Sequence, residues 1–233
     1  MYFVSKPIIT NGLVMYLDAG NKVSYTSGSS VWNDLSGNNN GILTNNPSFS
    51  DDNGGCIVFD GSNDRIVLPD TLKQTGSQSI SIWFNPSTWN PGGVFEPGIF
   101  GGFAFGSSGT PGGISIAEYN NSLYVTAYNG SQKLEANASL PPLNSWTSIT
   151  VTYDNTTGTL KTYLNSVLRR TSVFGAGASN IVWDVPITLG AAYLNGDYLD
   201  FQGKIAVSQI YNKTLTQSEI IENFNTLKGR YGL

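Results

Sequence analysis

Chemistry is limited first by the side chains a protein owns, and this chain owns no histidine. That removes the side chain that most often moves protons near neutral pH and the commonest zinc ligand. Ser-His-Asp triads, Cys-His pairs and His-Glu-x-x-His metal sites are therefore excluded. Carboxylates come next, sixteen in all. Cleaving a glycosidic bond takes two on one surface, about 5–5.5 Å apart for retention or about 6.5–9.5 Å for inversion. On one strand this means acids at i and i+2, because alternate residues share a face. No two acidic residues here are separated by a single position. Glutamates number only five, Glu96, Glu118, Glu135, Glu219 and Glu222. A glycoside hydrolase would need a pair assembled from different strands, with Glu96 and Glu118 as the residues to test.

Two further constellations bear on binding. Asp18, Asp34, Asp51, Asp52, Asp60 and Asp64 crowd the first third of the chain. Such hard oxygen ligands suit Ca2+. The same residues favour Asx-turns, so Ca2+ stands as a candidate cofactor beside plain turn chemistry. Sugars are held by aromatic faces and a few convergent polar groups. Tyr124, Thr126 and Tyr128 alternate on one strand face beside Asn129, Trp89 lies in a glycine-rich loop, and Tyr193, Asn195, Asp197 and Tyr198 form a polar-aromatic loop. Trp89, Tyr124, Tyr128, Asn129, Tyr193, Asn195 and Asp197 are the candidate glycan-binding residues; the other reading is that these aromatics roof the core. Trp83 and Trp146, within regular strand patterns, read as core.

The elements that must carry these residues are strands. Charged residues make up 12% of the chain, about half the usual share, with Gly, Ser, Thr and Asn in their place. Long surface helices need more Glu, Lys and Arg than this. Abundant aromatic and β-branched residues argue against disorder. Leu13–Leu17 reads as a first strand. Cys56–Asp60 and Arg65–Leu68, flanking the polar turn Gly61–Asp64, read as a hairpin. Ile80, Ile82 and Phe84 alternate with Ser79, Ser81 and Trp83, and Ile149, Val151 and Tyr153 with Ser148, Thr150 and Thr152. A strand over 204–211 places Ile205, Val207 and Tyr211 opposite Ala206, Ser208 and Ile210, apolar on both faces and so expected between layers. Residues 85–113 are the least regular. Thr216-Gln217-Ser218-Glu219 is a capping box, followed by Ile220, Phe224 and Leu227 at helical spacing, with Gly229 as the expected stop. The helix is expected to close an edge or end of the assembly. Cys56, the one cysteine, permits no intrachain disulfide and reads as a small core residue.

The order and spacing of six segments carry a resemblance. They are Gly12–Asn21 (GLVMYLDAGN), Trp32–Asn38 (WNDLSGN), Gly54–Asp64 (GGCIVFDGSND), Ser79–Phe84 (SISIWF), Trp146–Asp154 and Gly203–Asn212, the last followed by the capped helix. Together they span about residues 12–230, nearly the whole chain. The chain resembles the laminin-G-like, concanavalin-A-like lectin/glucanase jelly-roll family, in particular versions found in structural proteins of tailed phages. The resemblance implies an all-β, antiparallel two-sheet sandwich with one short C-terminal helix. It divides the chain into an N-terminal segment, 1–11, and one jelly-roll domain, 12–233. In many relatives one sheet face or its rim loops bind glycans, and a structural calcium is frequent. Relatives often carry an acid soon after the glycine of the late Gly-x-Ile segment; here Gly203-Lys204-Ile205-Ala206-Val207-Ser208 has none.

The expected function is that of a non-enzymatic virion structural protein of a bacteriophage, either capsid decoration or a tail or fibre component, exposed on the virion surface and directed at host or environmental glycans. Its expected partners are other capsid or tail proteins and cell-surface glycans. Nucleic acid is not expected, since the net charge is −4 and no Lys/Arg block occurs. Membrane insertion is not expected either, because no run approaches about 18 apolar residues. Met1–Pro7 lacks a basic region followed by an apolar one, so synthesis in the host cytoplasm without a signal peptide is expected. A secreted bacterial lectin-like domain is the first alternative and a glycoside hydrolase the second.

Overall fold

Side chains that alternate with period two bury one face of a strand, and several segments here alternate twice over. In a computed structural model, which describes residues 7–89, 97–101, 113–174, 179–194 and 197–233, they build two large antiparallel sheets packed face to face. In chain order the strands are β1 (Leu13–Asp18), β2 (Val31–Trp32), β3 (Gly41–Thr44), β4 (Ser48–Ser50), β5 (Cys56–Asp60), β6 (Arg65–Leu68), β7 (Gln78–Pro86), β8 (Gly98–Gly101), β9 (Ile114–Tyr119) and β10 (Ser122–Tyr128). There follow β11 (Lys133–Glu135), β12 (Ala138–Ser139), β13 (Thr147–Asp154), β14 (Thr159–Leu164), β15 (Val167–Val173), β16 (Ile187–Leu189), β17 (Ala191–Leu194), β18 (Asp197–Asp200) and β19 (Gln202–Tyr211), then helix α1 (Gln217–Leu227). The first sheet runs β15-β14-β13-β7-β19-β5-β4, with β1 also on β19. The second runs β11-β10-β9-β8-β16-β6-β3-β2, with β12 also on β10. β17 and β18 form a separate hairpin.

The core lies between the two sheets. Ile80, Ile82 and Phe84 of β7 and Ile149, Val151 and Tyr153 of β13 face it from the first sheet, as their alternation predicts. Ile114 and Ile116 of β9 and Leu123, Val125 and Ala127 of β10 face it from the second. Each fully buried large apolar side chain contributes about 1.5–3 kcal/mol relative to exposure.

Four expectations are corrected. β5 and β6 do not form a hairpin: β5 pairs with β19 and β4 in the first sheet, β6 with β16 and β3 in the second. The turn between them crosses from one sheet to the other. It is held by the Asp64 carboxylate accepting from Asp60 N at 3.1 Å and the Asp60 carboxylate accepting from Ser62 N at 2.8 Å. In β19 the register against β7 shifts between Ile205 and Val207. That bulge reverses the alternation, so Ile205 and Ile210 point into the main core while Val207 and Tyr211 point outward. The helix is capped as expected, Thr216 and Glu219 each accepting from the other's backbone N–H. It does not stop at Gly229, which lies inside a 3₁₀ turn over Lys228–Tyr231 that ends at left-handed Gly232. Nor does it close an edge: Phe224, Leu227 and Tyr231 cover the outward faces of Trp83 and Val207, roofing the first sheet. β19 is accordingly covered on both faces, as its composition suggests. Trp83 and Trp146 are buried beneath this roof. Of the N-terminal segment, Ile9 is tied down by its N–H donating to the Asn223 side chain of α1 at 2.8 Å. Of the irregular stretch 85–113, the described parts are the end of β7, residues 87–89, Pro97, β8 and Gly113.

Candidate glycan-binding cleft

The outer face of the second sheet is furnished by the residues that alternate with its core positions. Tyr124, Thr126 and Tyr128 stand outward on β10, as their spacing predicts. Asn120 and Asn121, with φ of 48° and 59°, make the tight turn from β9 to β10 that left-handed Asn allows. Across β10, Lys133 and Glu135 of β11 pair with Tyr128 and Thr126, so their side chains share the same outer face. Leu134 and Ala136, at the alternate positions, turn into the core.

Tyr119, Asn120, Ser122, Tyr124, Lys133, Glu135 and Asn137 enclose a cleft of about 450 Å3. The Tyr124 hydroxyl donates to Glu135 Oε1, and Lys133 Nζ donates to the Tyr124 hydroxyl at 2.7 Å. Lys133 Nζ also lies 3.0 Å from Glu135 Oε1 and 5.3 Å from the centre of the Tyr124 ring. Asn137 donates weakly to Glu135 Oε2 at 3.4 Å while accepting from Val125 N at 3.1 Å. The Tyr119 and Tyr124 rings meet at 5.2 Å with 59° between their planes. Burial and the adjacent Glu135 push the Tyr124 phenol far above its ordinary pKa, so it remains a donor. Burial resists ionisation of Glu135, but hydrogen bonds from Tyr124 and Lys133 prevail and hold it below the usual glutamate value. The carboxylate is the more open of the two charges, with 41% of the Glu135 side chain exposed against 20% for Lys133. Chemically the cleft offers aromatic carbon surface, amide and hydroxyl groups, and one open anionic acceptor.

Of the expected glycan residues that are described, Tyr124 alone lines this cleft. Tyr128 stands on the same face, buried, with its hydroxyl donating to Gly130 O at 2.9 Å. Asn129 is a turn residue. Its Oδ1 accepts from Ser131 N at 3.0 Å and Gln132 N at 2.7 Å, and its Nδ2 donates to Ser179 at 2.7 Å. Trp89 packs against the core edge-on to Phe84, its indole N–H donating to Pro141 O at 2.9 Å. Tyr193 and Asp197 belong to the β17–β18 hairpin, where Tyr193 meets Tyr198 in a T-shaped pair at 5.3 Å. The exposed Asp197 accepts from Tyr198 N at 2.8 Å. Asn195 and Glu96 lie outside the described residues. The hairpin still touches the cleft, because Ala192 packs with Ala117 against Tyr124. Lys133, Glu135 and Asn137 were not among the expected residues. Their signal was the alternation Lys133-Leu134-Glu135-Ala136-Asn137.

Three of the first-third aspartates, Asp18, Asp34 and Asp52, are already engaged by N–H, hydroxyl and cationic groups of the chain itself. Asp34 accepts from Tyr16 N, Ser36 N and Asn39 N at 2.8, 2.8 and 3.0 Å. Asp18 accepts from Gly20 N, Arg230 and the Tyr16 hydroxyl, and Asp52 is paired with Lys204. Among the described residues no group of three or more Cys, Asp or Glu is placed to hold a metal ion.

The fold and cleft define a lectin-like jelly-roll domain. A family model described as the concanavalin A-like lectin/glucanases superfamily matches residues 60–221, and the chain belongs to that family. The sequence matches no curated protein. Among solved structures it is similar to domain 4 of AbnA, a GH43 extracellular arabinanase from Geobacillus stearothermophilus, solved with arabinotriose. The TM-score is 0.66 at 21% identity, over 91% of this chain and 97% of that one. It is also similar to the binding domain of botulinum neurotoxin DC in complex with SialylT, with TM-score 0.68 at 18% identity, covering 94% of this chain and 52% of that one. The type G toxin receptor-binding domain gives TM-score 0.65 at 16% identity, covering 92% and 51%. The chain thus spans about half the length of these toxin domains.

Proposed function

We propose that this protein is a non-catalytic, glycan-binding jelly roll displayed on a bacteriophage virion, and that its ligand is an uncharged sugar unit held in the Tyr119–Glu135 cleft. The observation that carries the binding reading is the cleft itself, where two adjoining tyrosine rings lie beside a carboxylate fixed in place by Tyr124 and Lys133. An ionised, positioned carboxylate accepts from vicinal hydroxyls, and the rings take the C–H face. Lys133 is already committed to Glu135, and the more open charge is the acid, so a sialylated or uronate sugar meets repulsion. The solved arabinanase domain with its neutral arabinotriose is in keeping with this class. The described lining of the cleft holds one carboxylate where hydrolysis needs two, which is in keeping with binding. The virion setting rests on the resemblance to tailed-phage structural proteins. On a multi-copy particle a weak single site holds tightly through effective concentration.

Calorimetric titration with arabinotriose and other neutral oligosaccharides, against sialyllactose, tests the reading. Saturable binding of at least one neutral ligand is expected. Glu135→Gln should weaken it at least about tenfold, as loss of a charged hydrogen bond implies, and Tyr119→Ala should weaken it through loss of the ring that takes the C–H face. Reducing-sugar release from the same ligands is expected to stay at the level of buffer. No binding across the series, or preference for the acidic sugar, refutes the assignment. Gold-labelled antibody on purified particles tests the virion location.

A further inference from the structure

Three oxygens from two separate segments converge on the guanidinium of Arg230, in the final 3₁₀ turn. Nη1 donates to Asp18 Oδ1 at 2.6 Å, Nη2 to Gly55 O at 2.5 Å and Nε to Asn53 O at 2.5 Å. A carboxylate and two backbone carbonyls are a hard-oxygen set of the kind that holds divalent cations. The surrounding backbone is shaped around the occupant. A Cβ at Gly20 would lie 2.5 Å from Arg230 Nη2 and 2.7 Å from Gly54 O. Gly55 holds φ +133°, and its Cβ would lie 2.6 Å from Ala19 O. Asn53, at φ 50°, is fixed by accepting from Trp146 Nε1 at 2.9 Å and donating to Arg230 O at 3.0 Å. The Asp18 side chain is only 12% exposed, so its charge needs a partner. Beside it, β1 pairs Asp18 with Val207, and Ala19 N donates to Ala206 O at 3.0 Å. Both residues of β19 at this point are apolar and packed with Cys56 and Tyr231.

We propose that Arg230 is the protein's own cation at this oxygen cage. The guanidinium occupies the place a divalent metal ion would take, makes the fold independent of such an ion, and leaves a latent cation site that opens when it is removed. The inference rests on the Asp18–Arg230 geometry alone and is independent of the glycan-binding reading.

Thermal unfolding of the full chain in excess EDTA and in excess CaCl2 tests it. The wild-type midpoint is expected to be the same in both. Arg230→Ala is expected to melt at least about 5 °C lower in EDTA, as removal of one partner of a largely buried ion pair implies. CaCl2 should restore part of that loss. Terbium luminescence excited through nearby Trp146 should appear with the Ala variant and be absent from the wild type. If Arg230→Ala fails to fold, Arg230→Lys decides: its ammonium fills the cage but cannot serve all three oxygens in one plane, so its midpoint should fall and CaCl2 should leave it unmoved. A wild-type midpoint that drops in EDTA overturns the proposal. So does an Ala variant that takes up no terbium, or a Lys variant as stable as the wild type.

Discussion

Trp83 is the residue through which the C-terminal helix grips the first sheet. It is 1% exposed, stacks on Tyr231 at 4.3 Å with 19° between planes, and on Phe224 at 5.5 Å with 6°. Trp83→Ala removes both stacks and leaves a void under the helix. Truncating a buried Trp costs about 3–5 kcal/mol. Stacked aromatic pairs are worth about 0.5–1.5 kcal/mol each beyond area, which places this site in the upper part of that range, about 4–5 kcal/mol. For a chain of this length each kcal/mol moves the midpoint about 2–4 °C, so a fall of about 8–20 °C is expected by scanning calorimetry. Hydrogen exchange should show where the loss falls, with the amides of Ile220–Leu227 losing protection before those of β7 and β13. Trp83→Phe, which keeps one ring in the stack, should lose clearly less. A Trp83→Ala loss below about 1 kcal/mol, against that 3–5 kcal/mol, or helix amides as protected as before, would refute the view that this stack fastens the roof.

The remaining predictions concern a cap, a carboxyl and a glycine. Thr216→Ala removes the side-chain half of the capping box and should lower stability by about 0.5–2 kcal/mol, read as a lower urea midpoint at unchanged slope. Asp200 has its pKa raised to about 6, by burial first and then by Asp197, Asp60 and Asp64 against the pull of Arg65. A raised acid favours the folded state below its unfolded pKa, and that contribution is lost as pH rises through about 6. Asp200→Asn should therefore be more stable than wild type at pH above 7, on the order of 2 kcal/mol, with the gap closing near pH 4; a gap constant with pH would contradict the assignment. Gly190 holds φ +76°, and a Cβ there would lie 2.1 Å from the Phe59 ring. Gly190→Ala should cost about 3 kcal/mol or more, and a chemical-denaturation loss under about 1 kcal/mol would show that Phe59 moves aside freely.

Period-two alternation revealed β7, β10 and β13 because each of them has one face in the core and one outside it. The turn at Gly61–Asp64 was misread because alternation is silent about which sheet a strand joins. Phe59 and Ile66 point into the core whether β5 and β6 lie side by side or face each other across it. The bulge at Ala206 escaped for a related reason: β19 is apolar on both sides, so no polar residue marks where the faces exchange. The helix start was explicit in Thr216-Gln217-Ser218-Glu219, whereas its place over Trp83 depends on long-range packing. At the site, the outward set of β10 was visible in Tyr124-Val125-Thr126-Ala127-Tyr128. Its partners on β11 were overlooked because a charged alternating segment resembles any solvated edge strand until Tyr124 is seen reaching Glu135.

The two outer faces of the sandwich have different fates, and the difference bears on where binding can occur. The outer face of the first sheet carries Trp83, Val207 and Tyr211, apolar groups that only a cover can keep from water, and α1 with its following turn is that cover. Ile9 N bonded to Asn223, and Arg230 bonded to Asp18, tie the segment before β1 and the final turn onto that side. Among the described residues no helix covers the second sheet. Its outer face is nonetheless buried at Ser115, Ala117 and Thr126, where Ser115 and Thr126 bond to each other at 2.6 Å and the β17–β18 hairpin packs through Ala192. The face opens toward its edge at β11, where 41% of the Glu135 side chain is exposed. The cleft beside Tyr124 lies there, so its fixed carboxylate and two rings meet a ligand without disturbing the core.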